Sequence, residues 1–142
     1  MELIPPNNTI KTPAERLTGD VYMTPIKTPT PPSRLIASLV RFTPGARTNW
    51  HAHEVGQTLY CTEGVGYVVN RAGEVITLRA GDTVWTSPGE EHWHGGTAET
   101  FMSHLALLEA GENGDGTTWL EPVADEDFQA AAHSTNQKEN HS

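Results

Sequence analysis

The chain has 142 residues, with 9 Lys and Arg against 18 Asp and Glu for a formal charge of −9, and a single cysteine. This length fits one domain with a real core and leaves no room for a second, the acidic balance excludes a surface that tracks phosphates or anionic lipid, and Cys61 cannot form an internal disulfide. The start MELIPPNN lacks the basic and apolar segments of a signal peptide, and no apolar run approaches the roughly 20 residues of a membrane helix, so the expectation is a cytoplasmic protein with no nucleic-acid or membrane partner.

Seven of the ten prolines precede residue 34, a density that forbids a continuous helix or a central strand, so residues 1–33 are expected to form an extended arm. Within it, Leu17 to Met23 suits one edge strand. Residues 34–123 carry a succession of short apolar or alternating segments. RLIASLVRF (Arg34 to Phe42) leads into the turn TPGA, and a new strand starts near Thr48. Thr58 to Cys61, Gly66 to Asn70, Glu74 to Leu78, Thr83 to Thr86, His92 to His94 and Phe101 to Leu108 follow, separated by EG, RAG, RAGD, SPGEE and GGTAE. Short strands between Gly- and Pro-bearing turns predict an all-β sandwich or barrel rather than βαβ units. Residues 124–142 are expected to hold a short helix, Ala124 to Ala132 with an acidic first turn, and then a disordered polar tail, HSTNQKENHS.

Five of the seven histidines fall in two short windows and one strand. In a strand, residues i and i+2 share a face, so His51 and His53 can reach one metal ion while Ala52 points away. Gln57 opens the next strand, where its amide oxygen is positioned as a further donor. His92-Trp93-His94 repeats the device, with two imidazoles on one face and the indole on the other. His104 shares a face with Met102 and Ala106 and reads equally as a core histidine or as part of the same cavity. His133 and His141, in the polar tail, have no such company and are set aside as ligands. Trp85 and Trp93 are expected to pack in the core or between sheets, and Cys61 to be a buried small hydrophobe.

The stretch Gly45-x5-His51-x-His53-x3-Gln57-x6-Gly64 resembles the first cupin motif at every spacing, with glutamine where most members have glutamate. Gly81 to Gly96, GDTVWTSPGEEHWHGG, resembles the second, with Ser87 for a usual proline and Gly96 for a usual asparagine. The resemblance implies a double-stranded β-helix, or jelly roll, holding a divalent metal through His51, His53, Gln57 and His92. TPGARTNWHAHEVGQTL, GDTVWTSPGEEHWHGG and MSHLAL are further similar to the small manganese-containing bacterial cupins that act as hydroxynitrile lyases, cleaving cyanohydrins to an aldehyde and hydrogen cyanide. That likeness implies manganese as the preferred ion, with Fe, Ni, Co or Zn as alternatives, and a small-molecule pocket lined by Ile36, Ser38, Val40, Phe42 and Leu108.

A neutral Gln57 beside three neutral imidazoles leaves a divalent ion with a net site charge near +2, where glutamate would leave about +1. The ion is the stronger Lewis acid for it, and loses an anionic donor that would stabilise a trivalent state. Non-redox polarisation of a bound oxygen is therefore favoured over dioxygenase chemistry. His94, on the same strand face as His92 and kept neutral by burial and the nearby cation, is the expected catalytic base, with His104 orienting substrate or stabilising departing cyanide. A metal-dependent dioxygenase and a non-catalytic binding module are the alternatives. The arm and its edge strand suggest a homodimer or homotetramer.

Overall fold

A computed structural model describes residues 1–112 and 114–139. Its elements form a jelly roll of antiparallel strands around one interior, with a helix closing the outside of one sheet. The arm contributes β1 (Ile10–Lys11), a 3-10 turn over Ala14–Arg16, β2 (Leu17–Thr18) and β3 (Val21–Lys27). The barrel continues with β4 (Leu35–Phe42), β5 (Arg47–Thr48), β6 (His51–His53), β7 (Gln57–Asn70), β8 (Val75–Arg79), β9 (Thr83–Thr86), β10 (His92–Gly96), β11 (Met102–Glu109) and β12 (Thr117–Trp119). Helix α1 spans Asp125–Glu139. No described helix is long and apolar enough to cross a membrane.

One sheet runs β1-β3-β4-β11-β7-β9, and the other joins β2, β5, β10, β7 and β8, with β6 alongside β10 and β12 alongside β6. Strand β7 belongs to both. Its residues 57–64 pair with β9 and β11, and residues 65–70 with β8 and β10. The change of sheet falls at Gly64, whose φ of 78° suits a residue without a side chain, and an added Cβ would collide with the Phe101 carbonyl. The expected EG turn is therefore a bend within one 14-residue strand.

The expected Leu17–Met23 edge strand is in fact two strands. The chain turns at Gly19 (φ 83°), which sits so close to Ala46 that a Cβ would lie 2.9 Å from its Cα, and β2 and β3 then join different sheets. Strand β3 runs past the expected end at Met23 to Lys27 and so holds Pro25. Strand β1 covers β3 only opposite Tyr22 and Met23, so Pro25 lies past it at a bulge where no ladder N–H is required. The helix is longer than Ala124 to Ala132. Phe128 and Ala131 dock on the sheet and offset nucleation, after which Gln, Lys and Glu extend the helix at little cost, so the polar segment through Glu139 is helical. His133 is exposed on it, and His141 lies outside the described residues.

Two apolar clusters result. Val21, Phe42, Leu59, Cys61, Val68, Leu78 and Met102 fill the barrel. Outside it, Trp50, Tyr67, Val69, Val75 and Trp93 pack beneath Phe128 and Ala131 of α1. The buried Arg47 ties α1 to β5 by donating to the Val123 carbonyl (2.9 Å) and Asp125 Oδ1 (2.6 Å) while stacking on the Phe128 ring. Trp93 is buried as expected, but Trp85 is 57% exposed. Val84 and Thr86 take the inward phase of β9, which leaves Trp85 on an outer face that no described helix covers.

Candidate metal centre

Register sets the site. His92 on β10 lies opposite His51 on β6, and His53 opposite Thr117 on β12, while Gln57 begins β7 between Thr86 and Leu108. The ring centroids of His51 and His92 are 4.4 Å apart, those of His51 and His53 5.0 Å, and those of His53 and His92 5.4 Å. One ring nitrogen from each of the three lies within 4.8 Å of the others. The centre of a triangle with sides of that length lies about 2.8 Å from each corner, against roughly 2.1 Å for a bound nitrogen, so sub-ångström shifts of the side chains suffice to share one cation. Gln57 Oε1 approaches His92 Nε2 at 3.4 Å, which brings the amide into the same cluster.

The other ring nitrogens are pinned. His51 Nδ1 lies 2.8 Å from the Asn49 carbonyl and His92 Nδ1 2.9 Å from the Glu90 carbonyl, so each must donate there, which leaves the lone pair on Nε2. His53 Nδ1 meets Thr117 Oγ1 at 3.0 Å, and its Nε2 is buried with no hydrogen-bond partner. An unpaired buried nitrogen is costly unless something accepts its electrons, and a cation does so. Burial holds all three imidazoles neutral. It pushes His51 well below the ordinary histidine range, lowers His92, and brings His53 to about 4, with the neighbouring His92 adding to the effect on His51 and His53. Three neutral imidazoles, two of them with tautomers fixed by carbonyls, and one amide oxygen suit a divalent ion.

Deeper in the barrel, His94 Nδ1 and His104 Nε2 are 3.0 Å apart, so one ring donates to the other. The His94 backbone N–H donates to Thr48 Oγ1 at 3.2 Å. His94 Nε2 and His104 Nδ1, both buried, have no partner from another residue. Burial is the main cause that drives His94 well below its usual pKa and His104 to about 4. His94 stands 5.1 Å from His51 between ring centroids and 5.7 Å, nearly parallel, from His92. The structure thus sets His104 beside the histidine cluster rather than apart from it.

The expected lining residues fall on three inward rows. Val40 lies opposite His104, Ser38 opposite Ala106, and Ile36 opposite Leu108, itself beside Gln57. Phe42 closes the inner end, its ring edge-on to His94 at 5.6 Å and tilted against His104 at 5.4 Å. Leu108 and Ile36 therefore share the row of Gln57, and Phe42 backs the two deeper imidazoles. Sequence reasoning missed the residues that orient the ligands. Thr117 sits on an unforeseen strand, and Asn49 and Glu90 act through carbonyl oxygens that no residue type announces.

An (R)-mandelonitrile lyase from Granulicella tundricola is 43% identical over 118 residues, which covers 83% of this chain and 89% of that protein. The cupin domain matches residues 38–106, a span that includes all five clustered imidazoles and Gln57. This chain belongs to the cupin family. Among solved structures, this cupin is similar to a cupin-like protein of Thermotoga maritima, with a TM-score of 0.81, 28% identity, and coverage of 92% of this chain and 97% of that one. It shares the fold of a second Thermotoga maritima protein, described as a predicted oxalate decarboxylase, at a TM-score of 0.64 and 21% identity over 72% of this chain and 92% of the other.

Proposed function

We propose that this cupin is a metal-dependent lyase of the hydroxynitrile lyase type, cleaving a cyanohydrin into an aldehyde and hydrogen cyanide. The observation that carries the reading is the 43% identity to an (R)-mandelonitrile lyase across the span that contains the histidine cluster. His51, His53, Gln57 and His92 would hold the ion, manganese in this proposal, with iron, nickel, cobalt and zinc also suited to the donors. Bound there, a divalent cation supplies Lewis acidity toward a hydroxyl or carbonyl oxygen.

The chain's own groups handle the proton. When His94 Nδ1–H donates to His104 Nε2, the lone pair of His94 remains on Nε2, which has no partner in the protein. That nitrogen accepts the substrate hydroxyl proton as the C–C bond to cyanide breaks. The hydroxyl oxygen becomes the aldehyde carbonyl, and the proton returns from His94 to cyanide, which leaves as hydrogen cyanide. His104 fixes the tautomer and orientation of His94. Burial, with Phe42 packed against both rings, keeps them uncharged before the reaction. Ser38, Val40 and Leu108 supply a small pocket for the organic group.

The test is mandelonitrile cleavage, followed as benzaldehyde absorbance, in parallel with elemental analysis. Chelator-treated protein should lose activity and regain it with manganese. His51→Ala and His92→Ala should fail to retain metal, whereas His94→Ala should retain it without turnover. Turnover by His94→Ala, or full activity after metal removal, refutes the reading.

A further inference from the structure

We propose that the turn Glu15-Arg16 of the N-terminal arm belongs to the framework of the metal centre: through Asn49 and Trp119 it positions His51, and so sets how tightly the cluster holds a cation. This deepens the metal-dependent reading given above and rests on it. The 3-10 turn over Ala14–Arg16 buries none of its side chains, so it adds nothing to the apolar core. What it presents instead is two carbonyls and one cation, and all three engage neighbours of His51.

Asn49 is the first link. It lies buried between β5 and β6, and its carbonyl accepts the His51 Nδ1–H at 2.8 Å. Its backbone N–H donates to the Arg16 carbonyl at 2.8 Å. Its side-chain Nδ2 donates to the Glu15 carbonyl at 2.9 Å and to the Leu120 carbonyl at 3.3 Å, which occupies both amide hydrogens. The peptide that orients His51 is thus tied at once to the arm and to the residue that follows β12. Trp119 is the second link. It stands opposite His51 in the β6-β12 register, with the two rings 4.7 Å apart between centroids and tilted by 32°. The Arg16 guanidinium lies 5.4 Å from the centroid of the same indole. Arg16 is exposed and takes part in none of the ion pairs among the described residues, so its charge is left to act on the indole. An imidazole pinned at Nδ1 and flanked on one face has little freedom to turn Nε2 away from His53 and His92.

The other two imidazoles are oriented without the arm. His92 donates to the Glu90 carbonyl within its own turn, where the Glu90 carboxylate accepts from the Ser87 N–H and from Asn70. His53 meets Thr117. Disturbing the link to residues 15 and 16 therefore loosens one ligand and leaves two in place, which weakens the hold on a cation without abolishing it.

The test is cobalt(II) binding by full-chain variants, with affinity taken from competition against a chromophoric chelator and geometry from the visible absorption of the loaded protein. Asn49→Asp keeps the shape but sets an oxygen against two carbonyls. It should weaken cobalt binding about 10- to 100-fold and alter the absorption band. Because a buried carboxylate can also impair folding, the stack gives a second arm. Arg16→Ala, at an exposed side chain, should weaken binding about threefold, and Trp119→Phe, which keeps a ring against His51, should bind more tightly than Trp119→Ala. Gly73→Ala, which strains the turn between β7 and β8 at positive φ, should match the wild type in affinity and spectrum. A wild type that binds neither cobalt nor manganese overturns this proposal and the metal-dependent reading together. A wild type that binds, with Asn49→Asp and Arg16→Ala equal to it in affinity and spectrum, overturns this proposal alone.

Discussion

The buried imidazoles make acidification of the metal-free protein a quantitative test of the site. His53 and His104 have folded-state pKa values of about 4, against an ordinary 6.5 that each recovers on unfolding. The folded state therefore binds fewer protons than the unfolded state between those values. The stabilisation from keeping these rings neutral is complete above pH 6.5, declines as pH falls, and is gone below about 4. At pH 5 the linkage relation gives a loss of about 2 kcal/mol for each ring relative to pH 8, or about 4 kcal/mol for the two. His51, His92 and His94 are shifted the same way and add to it. Set against the 5–15 kcal/mol typical of a domain, that is a large fraction of the whole. Urea unfolding of chelator-treated protein, followed by tryptophan fluorescence, should show its midpoint fall by about 2 M between pH 8 and pH 5, taking m near 2 kcal/mol/M. His104→Gln should recover roughly half of that loss. A midpoint that moves by less than about 0.5 M would mean that the rings ionise as in water, and the picture of a dry histidine cluster would be wrong.

Gln57→Glu adds an anionic donor; it should retain metal through longer dialysis against chelator and lower mandelonitrile turnover about tenfold or more, while equal or faster turnover would refute the role given to the neutral amide. Gly64→Ala should cost about 3 kcal/mol or more and lower Tm by about 10 °C, because strain at positive φ adds to a clash with the Phe101 carbonyl. Gly73→Ala, also at positive φ but in open space, should cost only about 1 kcal/mol. Equal losses in the two would remove the special status of the bend.

What was legible in the sequence is what alternation and turn chemistry determine within a few residues. His51 with His53, and His92 with His94, announce a shared face because strand periodicity is 2, and the run from Gly45 to Gly64 sets Gln57 at the start of the next strand. Strands β4, β8, β9, β10 and β11 are bounded by Gly and Pro turns, and their spans fall within a residue or two of the expected ones. Long-range features were hidden. Gly64 bends one strand across two sheets because of where Phe101 lies, Pro25 is tolerated because β1 is short, and Trp85 is exposed because the helix settles on the other sheet. None of these has a local signature. The orientation of the ligands is similarly hidden, since Asn49 and Glu90 contribute only backbone oxygens and Thr117 arrives from more than sixty residues away.

Strand β10 explains why the helix matters to a site it does not touch. The alternation that turns His92 and His94 into the barrel turns Trp93 outward, where it is fully buried against Phe128 at 5.9 Å between ring centroids. On the same strand, Gly95 and Gly96 let the backbone pass so close to Ala46 and Thr100 that a side chain at either position would strike a carbonyl oxygen. The strand is therefore clamped at one end by neighbouring backbone and in the middle by an indole beneath α1, with Arg47 bonding the helix start to β5 on the far side. Imidazoles mounted on so constrained a strand keep their positions without a cation to hold them, and in the proposed site this preorganisation would let four neutral donors compete for a divalent ion with no carboxylate among them.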